Sequence, residues 1–149
     1  MSTYTIGLGC DRGASLHTLR EAVQAALALA GAQARDVTLA ASITLKSDEQ
    51  GLLSLAHEHG WPLHFYTAQE LAAVTVPNPS ETVRRYTGTP SVSEAAALRA
   101  AGAGTPMTAL VVEKYKHLGA DGRNATVSIA AIASIASVAS NHSIAKTRP

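Results

Sequence analysis

At 149 residues, 46% of them hydrophobic, the chain is long enough for one compact domain with a core and too short for two. Its 12 basic and 11 acidic residues are spread along the sequence and leave a net charge of +1, which excludes the one-signed field of a general nucleic-acid binder. The single cysteine excludes an internal disulfide, no run nears the roughly 20 apolar residues of a bilayer span, and Met-Ser-Thr-Tyr-Thr lacks the regions of a secretory signal; the expectation is a cytoplasmic protein with no membrane or nucleic-acid partner.

Tyr4, Ile6 and Leu8 alternate with Thr and Gly and read as a strand, after which Leu16, Leu19, Val23, Ala26, Leu27 and Ala30 recur at helical spacing until Gly31. Val37, Leu39, Ala41 and Ile43 form a second strand. Ser47-Asp48-Glu49-Gln50 has the pattern of a capping box, opening a helix that runs to about His59 and stops at Gly60. Trp61 to Tyr66 supplies a third strand, and Thr67-Ala68-Gln69-Glu70 caps a short helix ending near Ala73.

In Pro77-Asn78-Pro79-Ser80-Glu81, Asn78 is placed to cap a helix that begins at Pro79 and ends near Tyr86 or Gly88. Ser91-Val92-Ser93-Glu94 repeats the capping pattern before the alanine-rich helix Ala95 to Ala101, closed by Gly102. Two apolar runs, Ala109 to Val112 and Ala125 to Ala133, flank a polar segment with the turn signal Ala120-Asp121-Gly122, which predicts an antiparallel C-terminal hairpin. The alternation of strands and helices predicts a single α/β domain over residues 1–135 with a largely parallel, helix-covered central sheet. Residues 136–149 read as a frayed or disordered tail.

The first strand-to-helix junction, Gly7-Leu8-Gly9-Cys10-Asp11-Arg12-Gly13-Ala14-Ser15, concentrates candidate chemistry. At the carboxyl edge of a parallel sheet, glycines let a ligand approach the backbone and the next helix offers unpaired N–H groups to an anion; a plain tight turn is the competing reading. The glycine spacing is one residue longer than a dinucleotide fingerprint, and no phosphate-loop motif occurs, so no cofactor is expected. Cys10 is a candidate nucleophile because a helix N-terminus and Arg12 would lower its pKa, against the commoner role of a small buried residue. His57, His59 and His64 lack metal-ligand spacing, and no metal is expected. Lys46, Asp48 and Glu49 follow the second strand and so share the edge with Arg12 and the Asn78/Ser80 region, while Lys114 and Lys116, at the end of the fourth strand, project from one face.

Four segments in order, Gly7-x-Gly9-Cys10-x-Arg12-Gly13, Lys46-x-Asp48-Glu49-x-Gly51-Leu52, Val76-Pro77-Asn78-Pro79-Ser80 and Gly88-Thr89-x-Ser91-Val92-x-Glu94-Ala95-Ala96-Ala97, make the chain resemble the cobalamin-biosynthesis family of CobE and the C-terminal domain of CbiG. The likeness runs from about Thr3 to Ala133. It implies a three-layer α/β/α domain with a role in the aerobic corrin pathway, binding a precorrin or corrinoid intermediate. A precorrin is a flat, partly apolar macrocycle rimmed with carboxylates, so its site should join a hydrophobic floor to cations and amides at the periphery. Carried onto this sequence, the ligand-binding residues implied are Gly9, Cys10, Arg12, Gly13, Lys46, Asp48, Asn78, Ser80, Ser91 and Lys114. The larger CbiG proteins open a ring lactone; a hydrolase reading would use Asp48, Glu94 or Cys10 catalytically, with Arg12 and Lys46 steadying negative charge. A third alternative is an interaction partner for other enzymes of the pathway.

Overall fold

The computed structural model describes residues 2–132, so the expected tail and the domain boundary at 135 lie outside the described residues. Strand β1 (Thr3–Cys10) leads into α1 (Leu16–Ala30), followed by β2 (Val37–Ile43), α2 (Gln50–His59), β3 (Leu63–Tyr66) and the short α3 (Ala68–Ala72). Helices α4 (Glu81–Thr87) and α5 (Ser93–Ala101) precede the hairpin of β4 (Leu110–Leu118) and β5 (Asn124–Ile132). The sheet order is β3-β2-β1-β5-β4, with β1, β2 and β3 parallel and the C-terminal hairpin antiparallel, as the alternation of elements predicts. Because β5 alone runs backwards, the carboxyl ends of the other four strands share one edge with the start of β5.

Alternation divides the strand side chains between two layers. Ile6, Leu8, Val127 and Ile129 face Leu19, Val23 and Ala26 of α1 and Leu52 and Leu55 of α2 in the main core. Burial of these aliphatic side chains stabilises by about 1.5–3 kcal/mol each before the conformational entropy lost is set against it. On the opposite face α5 presses its backbone onto β1. A Cβ on Gly7 would overlap the Ser93 carbonyl oxygen and lie 2.6 Å from the Ala97 nitrogen, and the Thr5 hydroxyl donates to the Ala97 carbonyl at 2.7 Å. That contact explains why the helix is built from Ala95, Ala96 and Ala97, all fully buried.

Three helix starts differ from the capping patterns. Ser47 closes a 3-10 turn over Thr44–Lys46, and α2 begins after Glu49, whose carboxylate is drawn away to the β1–α1 loop. Ser80, not Asn78, caps α4, accepting from the Val83 N–H at 3.2 Å. Ahead of α5, Ser91 donates its hydroxyl to the Glu94 carboxylate instead of capping, and Val92 occupies the cap position. Thr67 and Glu70 do form the predicted capping box. For Glu49 and Asn78 a tertiary partner outcompetes the local bond. Strand β3 also starts later than Trp61, whose indole N–H donates to the Ala34 carbonyl at 3.0 Å.

Strand β4 continues to Leu118, six residues beyond the apolar run that announces it, so Lys114 and Lys116 lie within the strand. Its register slips between Val112 and Tyr115, and these two residues, three apart, both pack on the α1 side of the sheet. The extra residue of this bulge places Lys114 with Lys116 on the α5 side. No helix among the described residues is long and apolar enough to cross a membrane.

Candidate functional site

A cleft of about 730 Å³ opens at the shared edge, between α4 and the α5 face of the sheet. Its floor is built from a row of paired residues, Gly9 on β1 opposite Thr126 on β5 and Thr126 opposite Lys116 on β4, with Val92 and Ser93 at the start of α5. Gly9 is required there because a Cβ would come within 2.6 Å of Thr126 Oγ1. Cys10, Asp11, Arg12 and Lys46 form one rim, Lys114 and Lys116 another, and α4 supplies the remaining wall through Val83 and Tyr86.

Of the expected ligand-binding residues, Gly9, Cys10, Arg12, Lys46, Ser80 and Lys114 line this cleft, although they come from four separate segments. Gly13, Asp48, Asn78 and Ser91 do not. Sequence reasoning passed over Tyr86, Val92, Ser93 and Thr126, none of which carries a charge or a turn signal. Lys116 was visible as the alternate neighbour of Lys114.

The cations divide into two kinds. Arg12 is committed to the protein: Nη1 lies 2.6 Å from Asp48 Oδ1 and 2.9 Å from Glu49 Oε2, and Nη2 donates to the Leu45 carbonyl at 2.8 Å. Glu49 is 5% exposed and also accepts from the Gly13 N–H at 3.1 Å, so Arg12 and Gly13 neutralise and satisfy a buried carboxylate and join the β1 loop to the β2 loop. The hydrogen bond from Arg12 holds the Asp48 carboxyl below its ordinary range and makes it a weaker base. Lys46, Lys114 and Lys116, by contrast, take part in no ion pair among the described residues. All three line the cleft, where Asp11 is the one acidic residue beside them.

Glu94, the other candidate base, sits inside the protein with its side chain fully buried. It accepts from Asn78 Nδ2 at 2.6 Å, from the Asn78 N–H at 3.3 Å and from Ser91 Oγ at 3.0 Å, while Asn78 Nδ2 also reaches Glu113 at 3.0 Å. This network fastens the segment before α4 to α5 and β4. Glu94, Asn78 and Ser91 thus act on the cleft from behind, by fixing one of its walls.

Two expectations about the first loop are corrected. Burial pushes the Cys10 thiol up to about 11, overcoming the lowering influence of Lys46 and Arg12, so the group is protonated at neutral pH. The seat expected for a ligand anion at the start of α1 is taken by the protein's own Asp121, which accepts from the Ser15 N–H at 2.9 Å, Thr18 Oγ1 at 2.8 Å and the Arg123 N–H at 3.0 Å. Of the histidines, His59 stacks on Trp61 and His64 tilts against Tyr66, with ring centroids 4.3 and 4.4 Å apart.

Residues 4–130 match the family described as cobalamin synthesis G C-terminus, and the chain belongs to that family of cobalamin-biosynthesis proteins. It is 38% identical over 127 residues to the cobalt-precorrin-5A hydrolase of Priestia megaterium, covering 85% of this chain and 32% of the hydrolase. It is also 38% identical over 99 residues to Protein CobE of a Sinorhizobium species, covering 65% of this chain and 64% of that protein. The chain therefore spans about a third of the first relative and just under two thirds of the second. Among solved structures, a CobE from the cobalamin (vitamin B12) biosynthetic pathway superposes with a TM-score of 0.74 at 33% identity, covering 88% of this chain and 91% of that one. The cobalamin biosynthesis protein chiG of Agrobacterium tumefaciens gives 0.61 at 32% identity, with coverages of 87% and 98%.

Proposed function

We propose that this domain binds a precorrin or related corrinoid intermediate of the aerobic pathway in the cleft beside α4. The observation that carries this reading is the set of three lysines, Lys46, Lys114 and Lys116, without an ion-pair partner among the described residues, around a floor of Gly9, Val92 and Thr126. A macrocycle with an apolar face and a rim of carboxylates matches such a surface in both respects. The cleft volume falls in the ordinary range for small-molecule sites. Binding to an intermediate also fits a cytoplasmic place in the pathway and hand-over to neighbouring enzymes as partners.

The hydrolase name of one relative raises catalysis as the other reading, and the geometry favours it less. Asp48 is tied to Arg12, Glu94 is buried behind the wall, and Cys10 holds its proton. The test is an absorbance titration with a polycarboxylated corrin, accompanied by mass analysis of the recovered ligand. The expected result is a dissociation constant below about 100 μM, stronger than about −5.5 kcal/mol, weakened at least tenfold in a Lys114→Ala, Lys116→Ala variant and with unchanged ligand mass. An unperturbed spectrum at that concentration ends the binding reading. A changed mass establishes catalysis in its place.

A further inference from the structure

We infer that Tyr86 is the residue that reads the flat face of the bound macrocycle, presented on α4 as a flap over the cleft; the inference rests on the binding reading above. Three features of the helix point to this. Among the α-helices of the described residues, α4 alone contains no buried residue, and its half-buried Val83 packs against the core. Its cleft-lining positions, Thr82, Val83, Tyr86 and Thr87, recur at three- and four-residue spacing and form one face, while Glu81 and Arg84 pair with each other outside that set. The excursion is also pinned at its base, by the Ser80 N–H donating to the Pro90 carbonyl at 2.9 Å and by the Asn78–Glu94 bond, while along its length Val83 supplies the contact with the core.

The aromatic residue is singled out by exposure. The one Trp, the one Phe and three of the four Tyr residues are buried or half-buried, whereas Tyr86 is 75% exposed. A large amphipathic ring placed in water at the mouth of this cleft is free to contact what enters it. Against a conjugated macrocycle it supplies offset stacking and apolar contact, a term that does not depend on ionic strength. The lysines hold the carboxylate rim through charge, which salt screens. The two contributions therefore separate in one experiment.

Affinity for a polycarboxylated corrin is measured for wild type, Tyr86→Phe, Tyr86→Ala and Lys114→Ala, Lys116→Ala at about 50 mM and about 300 mM salt, with circular dichroism confirming the fold. Tyr86→Ala is expected to bind about three- to tenfold more weakly at both salt concentrations and Tyr86→Phe within about twofold of wild type, while the deficit of the lysine variant shrinks at high salt. Wild-type affinity in Tyr86→Ala, or a deficit that vanishes at high salt, overturns the role of Tyr86 and leaves the binding reading intact. Failure of the wild-type protein to bind overturns both.

Discussion

Asp121, in the turn between β4 and β5, accepts the Ser15 backbone N–H at 2.9 Å across 106 positions of sequence. The same carboxylate takes the Thr18 hydroxyl, and around it Asn124 binds Asp11 while Arg123 Nη1 donates to the Arg12 carbonyl at 2.9 Å. The hairpin turn thereby clamps the glycine-rich loop that forms one rim of the cleft. A carboxylate at this place satisfies helix N–H groups and complements the positive end of the helix dipole.

This clamp gives the protein an acid-sensitive element. Hydrogen bonds, chiefly from the Ser15 N–H, hold the Asp121 carboxyl down at about 2, below its ordinary 3.8. Because the folded value is the lower one, the stabilisation is present above about pH 4 and is lost as pH falls through about 2. Asp121→Asn should lower Tm at neutral pH, and its deficit relative to wild type should shrink between pH 4 and 2. Thermal melts across that window test this; a deficit independent of pH would refute the assignment.

Gly7 is held by packing. With the Ser93 carbonyl in the space a Cβ would occupy, Gly7→Ala must push α5 off the sheet and should cost about 3 kcal/mol or more in urea unfolding. Gly104→Ala, at φ +81° with open space around it, should cost only about 1–2 kcal/mol from backbone strain. Equal losses would mean that the close approach of α5 carries no weight.

Glu94→Ala removes the acceptor shared by Asn78 and Ser91 and leaves a void in a fully buried place. Destabilisation of about 2–4 kcal/mol is expected, together with faster hydrogen exchange at the Asn78 and Ser80 amides that anchor α4. Unchanged exchange there would show that the wall is held by other contacts.

Cys10 should be slow to alkylate. With its thiol pushed up to about 11, roughly one molecule in a thousand carries thiolate at pH 8, and the rate with iodoacetamide should climb tenfold per pH unit from there. Rapid reaction at pH 7 would restore Cys10 as a candidate nucleophile.

The alternating runs at Tyr4–Leu8 and Val37–Ile43, and the apolar stripe from Leu16 to Ala30, specify β1, β2 and α1 because each pattern buries a face only in that conformation. Parallel order then carries Arg12 and Lys46 to one edge, which is why the cleft was partly legible. The lines between pairing and capping were not. Asn78 looks like a cap until Glu94 competes for it, and Asp48 looks like a free base until Arg12 closes on it.

What the sequence by itself determined is the class of fold, the family and the edge at which charge collects, since periodicity and local motif are properties of neighbouring residues. Only the tertiary structure decided that Arg12 serves Glu49 while Lys46, Lys114 and Lys116 pair with no carboxylate among the described residues, that a bulge turns Lys114 toward the cleft, and that Tyr86 lines it. The reason is physical: a charged side chain takes whichever partner lies within about 3–4 Å, and that partner comes from a strand or loop whose distance along the chain leaves no periodic trace.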